Sequence, residues 1–241
     1  LIIRNEFADD GKKLTDLAAS LNANRFEKIA KKTTHLFDKP VRINNVKIFD
    51  PMSMQLTEPK SVLIENGKIS AVEAPVDSAP NAEVLIDGNG GTLVPGLYEM
   101  HGHMSDNDAL LNVMAGVTSV RDMGNEIDVL NPLIDKIESK RIIGPRITRS
   151  GFIEGKSEFS NATGELASTK QEAIDLVNMY GETGDYFQIK LYSSINGEWV
   201  VEMAAAAKKH GMPVTGHIPA FSTVDEMIDA GYDEITHINQ N

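Results

Sequence analysis

Between Lys12 and Lys31, apolar residues recur at three- and four-residue spacing: Leu14, Leu17, Ala18 and Leu21, then Phe26, Ile29 and Ala30, with charged residues between them. That period predicts one or two amphipathic helices. From Val41 the pattern shifts to short β-rich runs, "VRINNVKIF", "SVLIENGKISAV" and "EVLIDG", and Asn66-Gly67 between alternating runs is a hairpin signal. These runs predict a small antiparallel sheet. After Gly91, strand-like runs alternate with helical stretches, the signature of a parallel sheet built from βα units. The strands are "TLVPGLYEMHGH", "VTSVRDM", "RITRSGF", "YFQIKLYS", "PVTGH" and "EITHI". Thr169 with Glu172 and Thr223 with Glu226 fit capping boxes, and Gly211 and Gly231 stand where helix ends favour positive φ.

The expected fold is therefore α/β: a helical leader over residues 1–39, a small β-sandwich-like domain over 40–91, and an incomplete (β/α)8 TIM-type barrel over 92–241. A closed barrel needs eight strands over about 250 residues. Only six strand signals fall within this 241-residue chain, so two strands are expected to lie outside it. The opening "LIIRNEFADD" has neither an initiator Met nor a signal-peptide pattern, and the chain reads as a cut piece. Unpaired edges on strands one and six would then need cover from a C-terminal barrel segment or a homo-oligomer partner.

Composition narrows the partners. Acidic residues number 35 against 23 basic, a net charge of −12, which repels nucleic-acid phosphates and anionic membranes. No apolar run approaches the 18 or so residues of a membrane span. There is no cysteine, so any metal must be held by nitrogen and oxygen ligands.

The candidate chemistry lies at strand C-termini, where these barrels keep their active sites. His101 and His103 are two residues apart and so share a strand face. Lys190 ends strand four, His217 strand five and His237 strand six. A lone strand histidine is more often a hydrogen-bonded core residue, but four of the six histidines at strand ends reverse that expectation. His35 and His210 are assigned no site role. Lys190 needs a lowered pKa to act as a ligand, and a neutral amine can add carbon dioxide to become a carbamate. A carbamate is a bridging ligand able to hold two ions about 3.5–4 Å apart.

The string "VPGLYEMHGHM", followed by Lys190, His217 and His237, resembles the amidohydrolase superfamily, in particular its binuclear members with a carbamylated lysine. "GVTSVRDMG", "GPRITRSGFIEG", "IKLYSS", "TGHIPA" and "DEITHINQ" are similar to the imidazolonepropionase-like and Xaa-Pro dipeptidase branch. The resemblance covers about Val41 to Asn241 and leaves the first forty residues unexplained. It implies that His101 and His103 bind one divalent ion, Zn2+ or Mn2+, that His217 and His237 bind a second, and that the Lys190 carbamate bridges them. It also implies metal-assisted hydrolysis of an amide or peptide bond in a small molecule or dipeptide, with an aspartate from strand eight completing the site. That aspartate is expected to lie outside this chain, leaving it inactive alone. Glu99 stands where the family commonly has aspartate.

Tyr192 shares the Lys190 face and is a candidate catalytic and substrate-binding residue, with a core or rim aromatic as the rival role. Gly151 and Phe152, in "SGFIEGKSEFS", are candidate substrate contacts on a segment that either lines the pocket or is plain surface. Arg121 and Asp122 are expected to form a structural ion pair. A mononuclear deaminase on the same barrel and a non-catalytic assembly module are the alternatives. The look-alikes favour a periplasmic or secreted parent.

Overall fold

The computed structural model describes residues 10–78, 80, 82–161 and 163–237. The first nine residues of the leader, and residues 238–241 of the last strand motif, lie outside the described residues. The chain divides into two compact units, Thr33–Gly96 and Leu1–Lys32 with Leu97–Asn241. The leader is thus divided between them.

The Thr33–Gly96 unit is a mixed sheet. Strands β1 (Val41–Asp50), β2 (Gln55–Leu56), β3 (Lys60–Glu65) and β4 (Lys68–Glu73) are antiparallel in the order β2-β1-β3-β4. The Asn66-Gly67 hairpin forms as its sequence predicts, with φ of 50° and 72° at its two turn residues. Strands β5 (Val84–Asp87) and β6 (Thr92–Leu93) instead run parallel to β1. The connection over residues 74–83 is too long for a hairpin and returns the chain in the same direction. Arg42 is buried here, donating to Glu83 from Nε at 2.6 Å and Nη2 at 3.2 Å and to Glu73 at 2.8 Å. The guanidinium holds the Glu83 carboxyl below its usual range.

In the other unit, helix α1 (Gly11–Thr33) is one continuous helix. Its apolar residues do not form a single stripe. Phe26 and Ala30 are buried against a cluster containing Ala109, Val120, Leu130 and Leu133, whereas Leu14, Leu17 and Leu21 are exposed. At about 3.6 residues per turn the two sets fall on opposite sides of the helix.

Six parallel strands follow in chain order: β7 (Leu97–Gly102), β8 (Val117–Asp122), β9 (Arg146–Gly155), β11 (Tyr186–Leu191), β12 (Val214–Gly216) and β13 (Glu234–Ile235). A short strand β10 (Glu165–Ala167) pairs with the end of β9, and three residues leave no period to read in the sequence. The expected first strand "TLVPGLYEMHGH" is split: Thr92 and Leu93 belong to the mixed sheet, and Pro95, which has no N–H to pair, precedes β7. Helices α2 (Asp106–Met114), α3 (Ile127–Glu138), α4 (Lys170–Thr183), α5 (Val200–Lys209) and α6 (Val224–Ala230) occupy the connections. Among the described residues no helix is long and apolar enough to cross a membrane.

Side-chain caps fix the starts of α2, α4 and α6. Thr223 and Glu226 form a complete capping box. Thr169 accepts from the Glu172 N–H, but the Glu172 carboxylate accepts from Ser168 instead, so this box is half made. Gly211 and Gly231 take positive φ as expected.

At the centre of the parallel sheet both faces are buried. Ile189 and Leu191 pack under α4 and α5 with Val177, Tyr180, Met203 and Ala207, while Gln188 and Lys190 alternate with them and are equally buried. The interior face is held by polar bonds. Arg121 on β8 donates from Nη1 and Nη2 to the two carboxylate oxygens of Glu234 on β13, each at 2.6 Å, and Gln188 donates to Ser150 at 2.9 Å.

Gly216 lets β12 close on β11: at its φ of 149° an added Cβ would lie 2.1 Å from the Leu191 carbonyl oxygen. Gly216→Ala is expected to destabilise the fold by roughly 2–3 kcal/mol. The measurement is urea unfolding combined with exchange of the His217 amide, which loses its 3.0 Å bond to Leu191. Unchanged His217 protection would contradict this account.

Candidate metal and substrate site

The ends of β7, β11, β12 and β13 bring the four strand-end histidines and the lysine around one pocket of about 340 Å3. Ring centroids lie 5.4 Å apart for His101 and His103, 4.6 Å for His101 and His237, and 4.7 Å for His217 and His237. Lys190 lies beneath them, 1% exposed.

Each residue arrives by a different local route. β7 is irregular between Glu99 and Gly102. The Glu99 carboxylate accepts the His101 N–H at 2.8 Å. His103 bonds through Nδ1 to the Gly124 carbonyl at 2.7 Å, which leaves Nε2 for the pocket. His217 follows the close-packed Gly216. On β13, Glu234 faces Arg121 in the interior, so a regular strand would turn residue 237 the other way. The left-handed φ of 69° at His237 redirects it to the cluster. Such a φ is uncommon without a glycine and is held where the surroundings fix it.

Electrostatics favour the neutral form of three of these histidines. His101 is lowered to about 4 and His217 to about 3, first by burial and then by the nearby Lys190 charge, and His237 is lowered for the same two reasons. Lys190 falls to about 8, through burial and then Arg121, against the opposing pull of Glu234 and Asp122. The lowered pKa that a ligand lysine needs thus arises from the protein's own groups. A buried amine with that pKa is partly neutral at physiological pH, the form that reacts with carbon dioxide.

The expected Arg121–Asp122 pair does not form. Successive strand residues point to opposite faces. Arg121 turns inward to Glu234, while Asp122 accepts from Met104 N–H at 2.7 Å, Gly124 N–H at 3.1 Å and the Asn125 side chain at 3.1 Å. It thereby ties the turns after β7 and β8 to each other.

Tyr192 lines the pocket, its ring 5.2 Å from Phe152 and 4.0 Å from His217. Phe152 also lines it, level with Lys190 in the β9–β11 register. Gly151 does not: its vacant Cβ direction meets the Tyr180 ring at 2.6 Å, on the helix side of the sheet. The segment "SGFIEG" is largely buried strand rather than loop, and the lining loop residues are Asn161 and Thr163. The sequence reading missed these two, with Asn125, since small polar loop residues carry no periodic signal. His35 stacks on Phe37, and His210 ends α5 bonded to Asn178, neither lining the pocket.

The donor set suits a metal: four imidazoles, no thiolate, and a His217 Nδ1 that is buried without a partner. Among the described residues, no three His, Asp or Glu side chains are drawn close enough to hold an ion as they stand. No carboxylate lines the pocket among the described residues.

No protein-family model matches the chain. An adenine deaminase of Chelativorans sp. (strain BNC1) is 26% identical over 197 residues, 73% of this chain and 31% of the relative. An imidazolonepropionase of Idiomarina loihiensis is 44% identical over 64 residues, 26% of this chain and 15% of the relative. A solved Xaa-Pro dipeptidase with bound methionine in its active site superposes with a TM-score of 0.67 at 23% identity, over 82% of this chain and 61% of that one. The chain therefore spans less than two thirds of each.

Burial of the Lys190 ammonium costs on the order of 3 kcal/mol. That cost is full below pH 8, fades as pH rises towards 10.5, and is absent in Lys190→Met. Lys190→Met is therefore expected to raise the metal-free melting midpoint at pH 7, with the gain shrinking towards pH 10.5. For His101 and His217 the depressed values mean stability that is present above about pH 6.5 and lost as pH falls towards 4. A midpoint flat over pH 4–7 would contradict the neutral cluster.

Proposed function

We propose that this chain, which belongs to the amidohydrolase superfamily, carries the metal-binding part of a hydrolase of carbon–nitrogen bonds, with dipeptide-like amides as the substrate class. The observation that carries the reading is the convergence of four histidines over a buried lysine of lowered pKa. His101, His103, His217 and His237 would hold two divalent ions, zinc or manganese, with Lys190 as a carbamate for a further ligand. Such ions would supply Lewis acidity for an amide carbonyl and for an activated water.

The chain's own residues prepare the site. Burial favours the neutral form of His101, His217 and His237, so these imidazoles do not repel a cation. The Gly124 carbonyl fixes the His103 ring, leaving Nε2 as the donor. Tyr192, whose hydroxyl bonds no described residue, offers a donor to a substrate carbonyl or carboxylate. Phe152 supplies an apolar wall, and Asn161 and Thr163 add polar contacts. The reaction also needs a carboxylate to move the proton to the leaving amine. We assign it to a further barrel segment or a second copy.

A mononuclear deaminase is the second reading, favoured by the likeness to an adenine deaminase. Metal analysis of the chain reloaded with zinc in bicarbonate separates the two. Two ions per chain with a 13C carbamate resonance that disappears in Lys190→Met is the expected result. One ion and a free amine would select the deaminase. With the barrel completed, a dipeptide library is expected to release amine, and His217→Asn to lower turnover at least a hundredfold. Metal binding without turnover of any amide would refute the hydrolase.

A further inference from the structure

The loops after β9, β11 and β12 border a second concavity, a groove of about 990 Å3, which the chemistry above does not use. It adjoins the histidine pocket. Asn161 and Thr163 of the β9 loop line the pocket, while Ser157 and Phe159 of the same loop line the groove. Tyr192 lines the pocket and Ser193 the groove.

The boundary is built, not accidental. The Glu154 carboxylate, 1% exposed, accepts from the N–H groups of Gly155 at 3.0 Å, Ser194 at 2.8 Å and Asn161 at 3.5 Å, binding the two loops together. A Cβ at Gly155 would lie 2.0 Å from the Ser194 carbonyl oxygen. Ala220 in turn donates to the Ser193 carbonyl at 2.8 Å, which adds the β12 loop.

The groove has a floor of Ile195 and Met227 and two outstanding rings, Phe159 at 83% exposure and Phe221 fully exposed. Phe221 also has φ of 68°, a conformation rare for a bulky side chain. A strained backbone that holds an apolar ring in water points to a ligand for that ring. The charged groups lining the groove are Glu198 and Glu226, and no basic side chain lines it among the described residues. Glu226 is engaged by the Thr223 N–H in the capping box, whereas the Glu198 carboxylate bonds no described residue.

We propose that this groove is a distal subsite for an apolar, positively charged segment of the substrate, such as the amino-terminal end of a peptide whose amide bond lies in the histidine pocket. The inference rests on the hydrolase reading and extends its substrates beyond dipeptides: a pocket of about 340 Å3 suits a small ligand, and the groove adds space for further residues.

The test is binding to the metal-free chain. Leucyl-leucinamide, a cation without a carboxylate, is titrated against N-acetyl-leucyl-leucine, an anion of the same side chains. The readouts are amide chemical shifts and emission of Trp199, the chain's single tryptophan, which lies between Glu198 and Val201. Saturable binding of the cation is expected, with shifts at 193–201 and 220–230 and binding of the anion about tenfold weaker. Phe221→Gly, which accepts positive φ, is expected to fold at least as stably and to weaken the cation tenfold or more, with Glu198→Gln closing the gap between the two probes. His217→Asn is expected to leave this binding unchanged.

No saturable binding, equal affinity for both probes, or indifference to Phe221→Gly would overturn the subsite. Self-association abolished by Phe221→Gly would also overturn it, by assigning the groove to a second copy. Failure of the hydrolase reading is distinct: it would appear as absent metal loading or turnover while the groove still binds the cation.

Discussion

The interior of the parallel sheet is a polar layer that has to satisfy itself. Arg121 and Glu234 come from strands that are not neighbours, yet they meet in a bidentate pair with 2.6 Å bonds. Leaving the Arg121 charge unpaired would be costly, since its burial removes hydration that only a well-aligned partner replaces, while Glu234 stays partly open to solvent. Everything above the pair depends on it. Lys190 lies near enough for Arg121 to lower its pKa, and Lys190 in turn helps keep His101 and His217 neutral. The candidate site is thus the upper end of a continuous electrostatic stack.

This arrangement sets stability against function. A buried lysine and a group of histidines held at a few ångströms are poor choices for a core that only needs to fold. The left-handed backbone at His237 and the unpartnered Nδ1 of His217 add to that cost. The helices on the outer face offset it with apolar packing, in which Val177, Tyr180, Met203 and Ala207 close over Ile189 and Leu191. One strand therefore carries both requirements, Ile189 and Leu191 for the fold and Gln188 and Lys190 for the interior. A shift of one residue in its register would exchange them.

The loops repeat the theme on a smaller scale. Asp122 and Glu154 are carboxylates with almost no exposure whose partners are mainly backbone N–H groups. Each ties loops that have little apolar area of their own. Burial raises the Glu154 pKa, so the N–H bonds that favour its charged form oppose a real desolvation cost. Loops positioned this way can present strained or exposed residues, such as Phe221, without losing their shape.

The sequence by itself determined the order of the elements, the six parallel strands, the Asn66-Gly67 hairpin and the strand-end placement of His101, His103, Lys190, His217 and His237. These follow from periods of two and 3.6 residues and from turn residues, which are local properties. Only the tertiary structure decided the rest. Gly151 faces Tyr180 rather than the pocket, Arg121 takes Glu234 in place of its neighbour Asp122, β5 and β6 run parallel to β1, and Asn161 and Thr163 join the site. Each is a choice between faces, registers or distant partners, and such choices are made by packing between segments far apart in the chain. His237 combines both: its presence at a strand end is written in the sequence, but its direction is set by a backbone angle that the folded surroundings impose.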